Sequence, residues 1–77
     1  MVRVLHIDNY GVYVADERGE RHKSPHAHVK HGRRRIASIH LISLEVLYEI
    51  EPVPAEVMRT IQESQDILIE KWERLNS

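Results

Sequence analysis

Apolar positions along this chain change period near its middle. "VRVLHI" (residues 2–7) alternates and is rich in β-branched side chains, which predicts a strand. "DNYG" (residues 8–11) carries turn chemistry, and "VYVA" (residues 12–15) predicts the return strand. "DERGERHKSP" (residues 16–25) is polar with a central glycine and reads as an exposed loop. Pro25 cannot donate to a ladder and biases Ser24 towards extended backbone, so a third strand, "HAHVKH" (residues 26–31), begins just after it. Gly32 with Arg33 and Arg34 suits a tight turn into a fourth strand, "RIASIHLI" (residues 35–42). "EVLYEIE" (residues 45–51) sets Val46, Tyr48 and Ile50 on one side and predicts a fifth strand, with a helical turn as the alternative.

Beyond residue 51 the period lengthens. Val57, Met58, Ile61, Leu68, Trp72 and Leu75 gather into one stripe at 3.6 residues per turn, opposite Arg59, Glu63, Asp66, Glu70 and Arg74. Pro54 is acceptable in the first turn, and Glu56 complements the helix dipole. The expected architecture is α+β: an antiparallel meander of four to five strands packed against one long C-terminal helix. Ile67 departs from the pattern, projecting from the polar side of the helix, which marks it as a candidate partner contact.

At 77 residues the chain is one domain, 1–77, with no room for a second core. A chain of this size buries only about 60–65% of its unfolded surface, so completion by a partner or a metal is a common solution. The absence of cysteine excludes disulfides, thiolate zinc sites and cysteine nucleophiles. No signal-peptide pattern and no membrane-length apolar run opens or interrupts the sequence, so a soluble cytoplasmic protein without membrane contact is expected. The net charge of −1 conceals a segregation. Residues 1–40 hold eight basic and four acidic side chains, while residues 41–77 hold three and eight. The first half is suited to an anionic partner and the second to a basic one.

Candidate chemistry concentrates in "RHKSPHAHVKHGRRR" (residues 21–35), which holds four of the six histidines. On a strand His26 and His28 share a face, placed to grip a divalent transition metal, with His22 folding back as a third ligand. The other reading of the cofactor question is none. The same residues suit acid–base work. His22, His26 and His28 beside Arg33, Arg34 and Arg35 would make a metal-independent ribonuclease, since the ribose 2′-OH supplies the nucleophile. Lys30, Arg33, Arg34 and Arg35 alone form a compact basic turn that binds phosphate backbones or an acidic protein. The chain has no Phe, and its one Trp lies in the helix stripe, so no stacking platform for bases is expected. The plainest alternative is that His26 and His28 hydrogen-bond the sheet edge and the charges are merely solvated. Tyr10, Tyr13 and Tyr48 read as ordinary strand packing, and Trp72 as the anchor of the helix.

The pattern "HKSPHAHV…HG…ASI", followed by a long acidic helix ending "EKWERL", resembles the small prokaryotic family catalogued as domain of unknown function 4160. His22, Pro25, His26, His28, Val29, Gly32, Ala37, Ile39, Pro54 and Trp72 fall on that family's pattern. Arg21, Ser24, Ala27 and His31 stand where its members usually carry other residues. The family has no settled reaction, and its genes often lie beside another small gene, as in toxin–antitoxin modules. The resemblance therefore implies a partner protein from a neighbouring gene more than it implies catalysis. The expected function is an interaction protein of a toxin–antitoxin-like pair, with RNA or DNA as a further target and a homo-oligomer as one possible assembly; whether it is also an enzyme is open.

Overall fold

Alternation and turn chemistry produce the expected meander. The computed structural model describes residues 2–16 and 24–77. His22 and most of the polar loop lie outside the described residues. Strands β1 (Val2–Ile7), β2 (Tyr10–Val14), β3 (His26–His31), β4 (Arg34–His40) and β5 (Val46–Glu49) form one antiparallel sheet in the order of the chain. β3 begins directly after Pro25, as its missing N–H demands. Gly32 turns the chain from β3 into β4 at a φ of 64°, the left-handed region that glycine enters without strain. Its N–H donates to Asn9 O at 2.7 Å and ties the β3–β4 turn to the β1–β2 turn.

Bulges reset the alternation in β1, β4 and β5. Arg3 pairs with Tyr13 but Leu5 pairs with Val12, so Val4 is extra in β1. Val29 pairs with Ala37 but Lys30 pairs with Arg35, so Ile36 is an extra residue in β4. Ser38 pairs with Tyr48 but Ile39 pairs with Val46, so Leu47 is extra in β5. Val46 and Tyr48 therefore lie on opposite faces, correcting the expectation that they share one.

The expected single long helix is two: α1 (Ala55–Glu63) and α2 (Gln65–Leu75). Pro54 caps the first, its carbonyl accepting from Val57 and Met58. Ser64 breaks the run at φ −108° and ψ 16°, with its N–H shared between Thr60 O and Ile61 O. The physical cause lies in the stripe itself. Between buried Ile61 and buried Leu68 the inward positions are polar, and Gln65 Nε2 donates to Leu41 O at 2.5 Å and Ile42 O at 2.9 Å. The side chain that would interrupt an apolar helix face instead fastens α2 to the loop after β4. At the far end Asn76 Nδ2 donates to Ala15 O at 3.0 Å, fastening α2 to the end of β2.

Both helices cover the same side of the sheet. Val12, Val14, Ala27, Val29, Ile36, Ala37, Ile39 and Leu41 close against Val57, Ile61, Leu68 and Trp72, and this is the core. No helix among the described residues is long and apolar enough to cross a membrane.

Candidate functional site

Among the described residues the sheet's other face carries no helix. Residues paired directly across strands project to the same side, so register defines what this face presents. Arg3 pairs with Tyr13, Tyr13 with His28, His28 with Ser38, and Ser38 with Tyr48, one transverse row across all five strands. On one side of this row His6 pairs with Gly11, Gly11 with Lys30, and Lys30 with Arg35. On the other side His26 pairs with His40.

The two histidines expected to project together do so. Their rings meet edge to face with centroids 5.2 Å apart. His26 Nδ1–H donates to Ser24 O at 3.0 Å, and His28 Nδ1 shares a 3.0 Å hydrogen bond with Ser38 Oγ. Their access to solvent differs. His28 is only 8% exposed and forms part of the floor, whereas His26 is half-buried. Among the described residues, which do not include His22, no set of three or more His, Cys, Asp or Glu is placed to hold an ion.

The basic residues divide. Lys30 and Arg35 stand opposite each other on the uncovered face, and each reaches outward over a tyrosine. Lys30 Nζ lies 4.8 Å from the centre of the Tyr13 ring, and Arg35 Cζ lies 5.9 Å from that of Tyr48. Arg34 pairs with His31 and faces the helix side, while Arg33 sits in the exposed turn. His31 belongs to that other side as well, stacked on Tyr10 at 4.3 Å and donating through Nδ1 to Glu51 Oε1 at 2.7 Å. Ile67, 53% exposed, stands on the outer surface of α2, away from the histidines in sequence and in layer.

Sequence reasoning missed His40, Ser38, Tyr13 and Tyr48 as members of this face. His40 Nδ1 accepts from the N–H groups of Ile42 at 3.3 Å and Ser43 at 3.2 Å, ordering the loop that leaves β4. The parity of "RIASIH" contained the signal for Ser38 and His40, but the bulge at Ile36 conceals it from a count that starts at Arg35. The sequence offers no Phe and no exposed Trp for stacking, yet two tyrosines and the imidazoles of His6, His26, His28 and His40 share the face through pairing register.

A further apolar feature lies along β5. Ile42, Val46, Leu47, Tyr48 and Ile50, on and beside β5, are 40–61% exposed on both faces of a sheet edge that no other described strand pairs with. Comparisons with family models, with curated proteins and with solved structures return no match to this chain.

Proposed function

We propose that this protein is a small binding module, one member of a toxin–antitoxin-like pair, that meets nucleic acid on the uncovered sheet face and a partner protein along β5. The observation that supports the first half is the Lys30–Arg35 pair. Like charges directly opposite on neighbouring strands repel, and neither side chain has a carboxylate partner among the described residues. An anionic oxygen lodged between them removes that repulsion. A phosphate backbone supplies such oxygens in series.

The second half is supported by the β5 rim. Its apolar row is bordered by Glu45 and Glu49. Pairing β5 with its own copy, antiparallel about Leu47, would set Glu45 opposite Glu49, which disfavours a homo-oligomer through this edge. A partner segment with apolar residues flanked by Lys or Arg complements it. That the partner is encoded beside this gene, in a cytoplasmic toxin–antitoxin-like module, follows from the resemblance carried by Pro25, His26 and His28.

The ribonuclease alternative requires two imidazoles reachable by one phosphodiester, and the burial of His28 favours the binding reading over it. Fluorescence anisotropy with a labelled single-stranded oligoribonucleotide tests the proposal. Affinity should fall steeply with salt and drop in the Lys30→Ala, Arg35→Ala double variant, while Arg33→Ala changes it little. No binding at low ionic strength would rule the reading out. Cleavage of the probe, abolished by His26→Ala, would replace it with the enzyme.

A further inference from the structure

We infer that the uncovered face takes a single strand of nucleic acid laid across the β-strands, with bases stacked on Tyr13 and Tyr48 and an intervening phosphate held between Lys30 and Arg35. This rests on the nucleic-acid reading above and adds the form of the ligand, its direction and its base contacts.

The transverse row carries the argument. Tyr13 and Tyr48 lie on one cross-strand line through His28 and Ser38, three strand spacings apart, with Arg3 beyond Tyr13 on β1. At about 4.8 Å per spacing their backbones stand roughly 14 Å from each other. Lys30 and Arg35 belong to the adjoining row, on the two strands between those of the tyrosines. A ligand that touches all four groups therefore alternates flat apolar rings with negative charge along its length. A single-stranded nucleic acid has that composition at every repeat, whereas an acidic peptide has it only where aromatic residues alternate with carboxylates, and a duplex keeps its bases stacked inside.

The present partners of the cations fit the same reading. Both ammonium and guanidinium lie over the tyrosine rings, contacts that are weak at solvent-exposed positions. A nucleobase stacks on such a ring more strongly than a hydrated cation does. Arrival of a base therefore displaces Lys30 from Tyr13 towards the phosphate, and Arg35 from Tyr48 likewise. Each cation exchanges a ring for an anion. Gly11 makes the first platform possible: a Cβ there would stand 2.7 Å from Tyr13 Cε1 and 3.1 Å from Cζ, so the ring lies down only over a glycine.

The test compares anisotropy of a labelled single-stranded oligonucleotide, in ribo- and deoxyribo- forms, with that of the matching duplex, using the full chain. The single strand should bind at least tenfold tighter than the duplex. Tyr13→Ala and Tyr48→Ala should each weaken it about tenfold without altering the salt dependence, as expected for one lost stack. Tyr13→Phe and Tyr48→Phe should retain affinity, since the ring and not the hydroxyl is used. Lys30→Ala should instead flatten the slope of log affinity against log salt by about 0.7. Circular dichroism of each variant separates a lost contact from a lost fold, and exposed Tyr48 serves if Tyr13→Ala unfolds. Equal affinity for duplex and single strand, with both alanine variants inert, overturns the stacked-strand inference while salt-dependent phosphate binding stands. Affinity unchanged in the Lys30→Ala, Arg35→Ala double variant overturns both.

Discussion

Gly11 and Trp72 show how single side chains set the two faces of the sheet. Gly11 is buried beneath the Tyr13 ring, and its lack of a Cβ is what permits that contact. Alanine at a strand position normally gains about 0.5–1 kcal/mol over glycine. Here the added methyl must push aside the far end of the Tyr13 side chain, which is free to swing on an uncovered face, so the cost is small and roughly offsets that gain. Gly11→Ala should therefore change stability by less than about 1 kcal/mol in urea unfolding while shifting the Tyr13 ring resonances. Unchanged Tyr13 signals would contradict the close approach. Trp72 presents the reverse case. It is 7% exposed and its Nε1–H has no acceptor among the described residues, so an indole fills the core at the cost of a donor unpaired there. Trp72→Phe should come within about 1 kcal/mol of the parent, because relief of the orphan N–H offsets the lost ring volume; Trp72→Ala should cost about 3–5 kcal/mol.

Among elements, the break between α1 and α2 is the feature that helical periodicity could not foresee. The stripe through Val57, Ile61, Leu68 and Trp72 was legible, and all four are buried. What interrupts it is a long-range contact, Gln65 reaching the carbonyls of Leu41 and Ile42, more than twenty residues earlier in the chain. Replacing that amide by an isosteric apolar group removes two donated hydrogen bonds, each worth about 0.5–1.5 kcal/mol net. Gln65→Leu should therefore destabilise by about 1–3 kcal/mol. Gln65→Glu should cost more, because a carboxylate would face two carbonyl oxygens; thermal unfolding that ranked Glu above Leu would refute this fastening role. The bulges at Ile36 and Leu47 make the same point for strands. One inserted residue reverses every later side chain, and only the pairing partner reveals where the insertion sits.

For the whole molecule, one sheet face builds the core and the other is left for chemistry, with an apolar rim along β5. Among the described residues, five strands with both helices on one side leave an aromatic and cationic face without a covering element. Ile42 and Leu47 contribute little to the fold at 61% and 50% exposure. An Ile42→Lys, Leu47→Lys double variant should keep its unfolding free energy within about 0.5 kcal/mol per site, while losing binding to a partner segment and to a hydrophobic dye. A large loss of stability would mean that the rim belongs to the core. Ile67→Glu should likewise leave stability unchanged; sedimentation that also leaves every complex intact would remove Ile67 from the partner surface.

By itself the sequence determined the class of fold, because alternation, proline and glycine act over a few residues: the starts of β1 and β3, the turn at Gly32 and the four buried anchors of the helices were all readable. It also determined that His26 and His28 share a face, since strand parity is local. Membership of the uncovered face was decided only in three dimensions. Tyr13, Ser38, His40 and Tyr48 join the histidines through pairing register and two bulges, and the same register separates Arg35 from Arg34. Register is a property of pairs of strands, so no single stretch of the chain contains it.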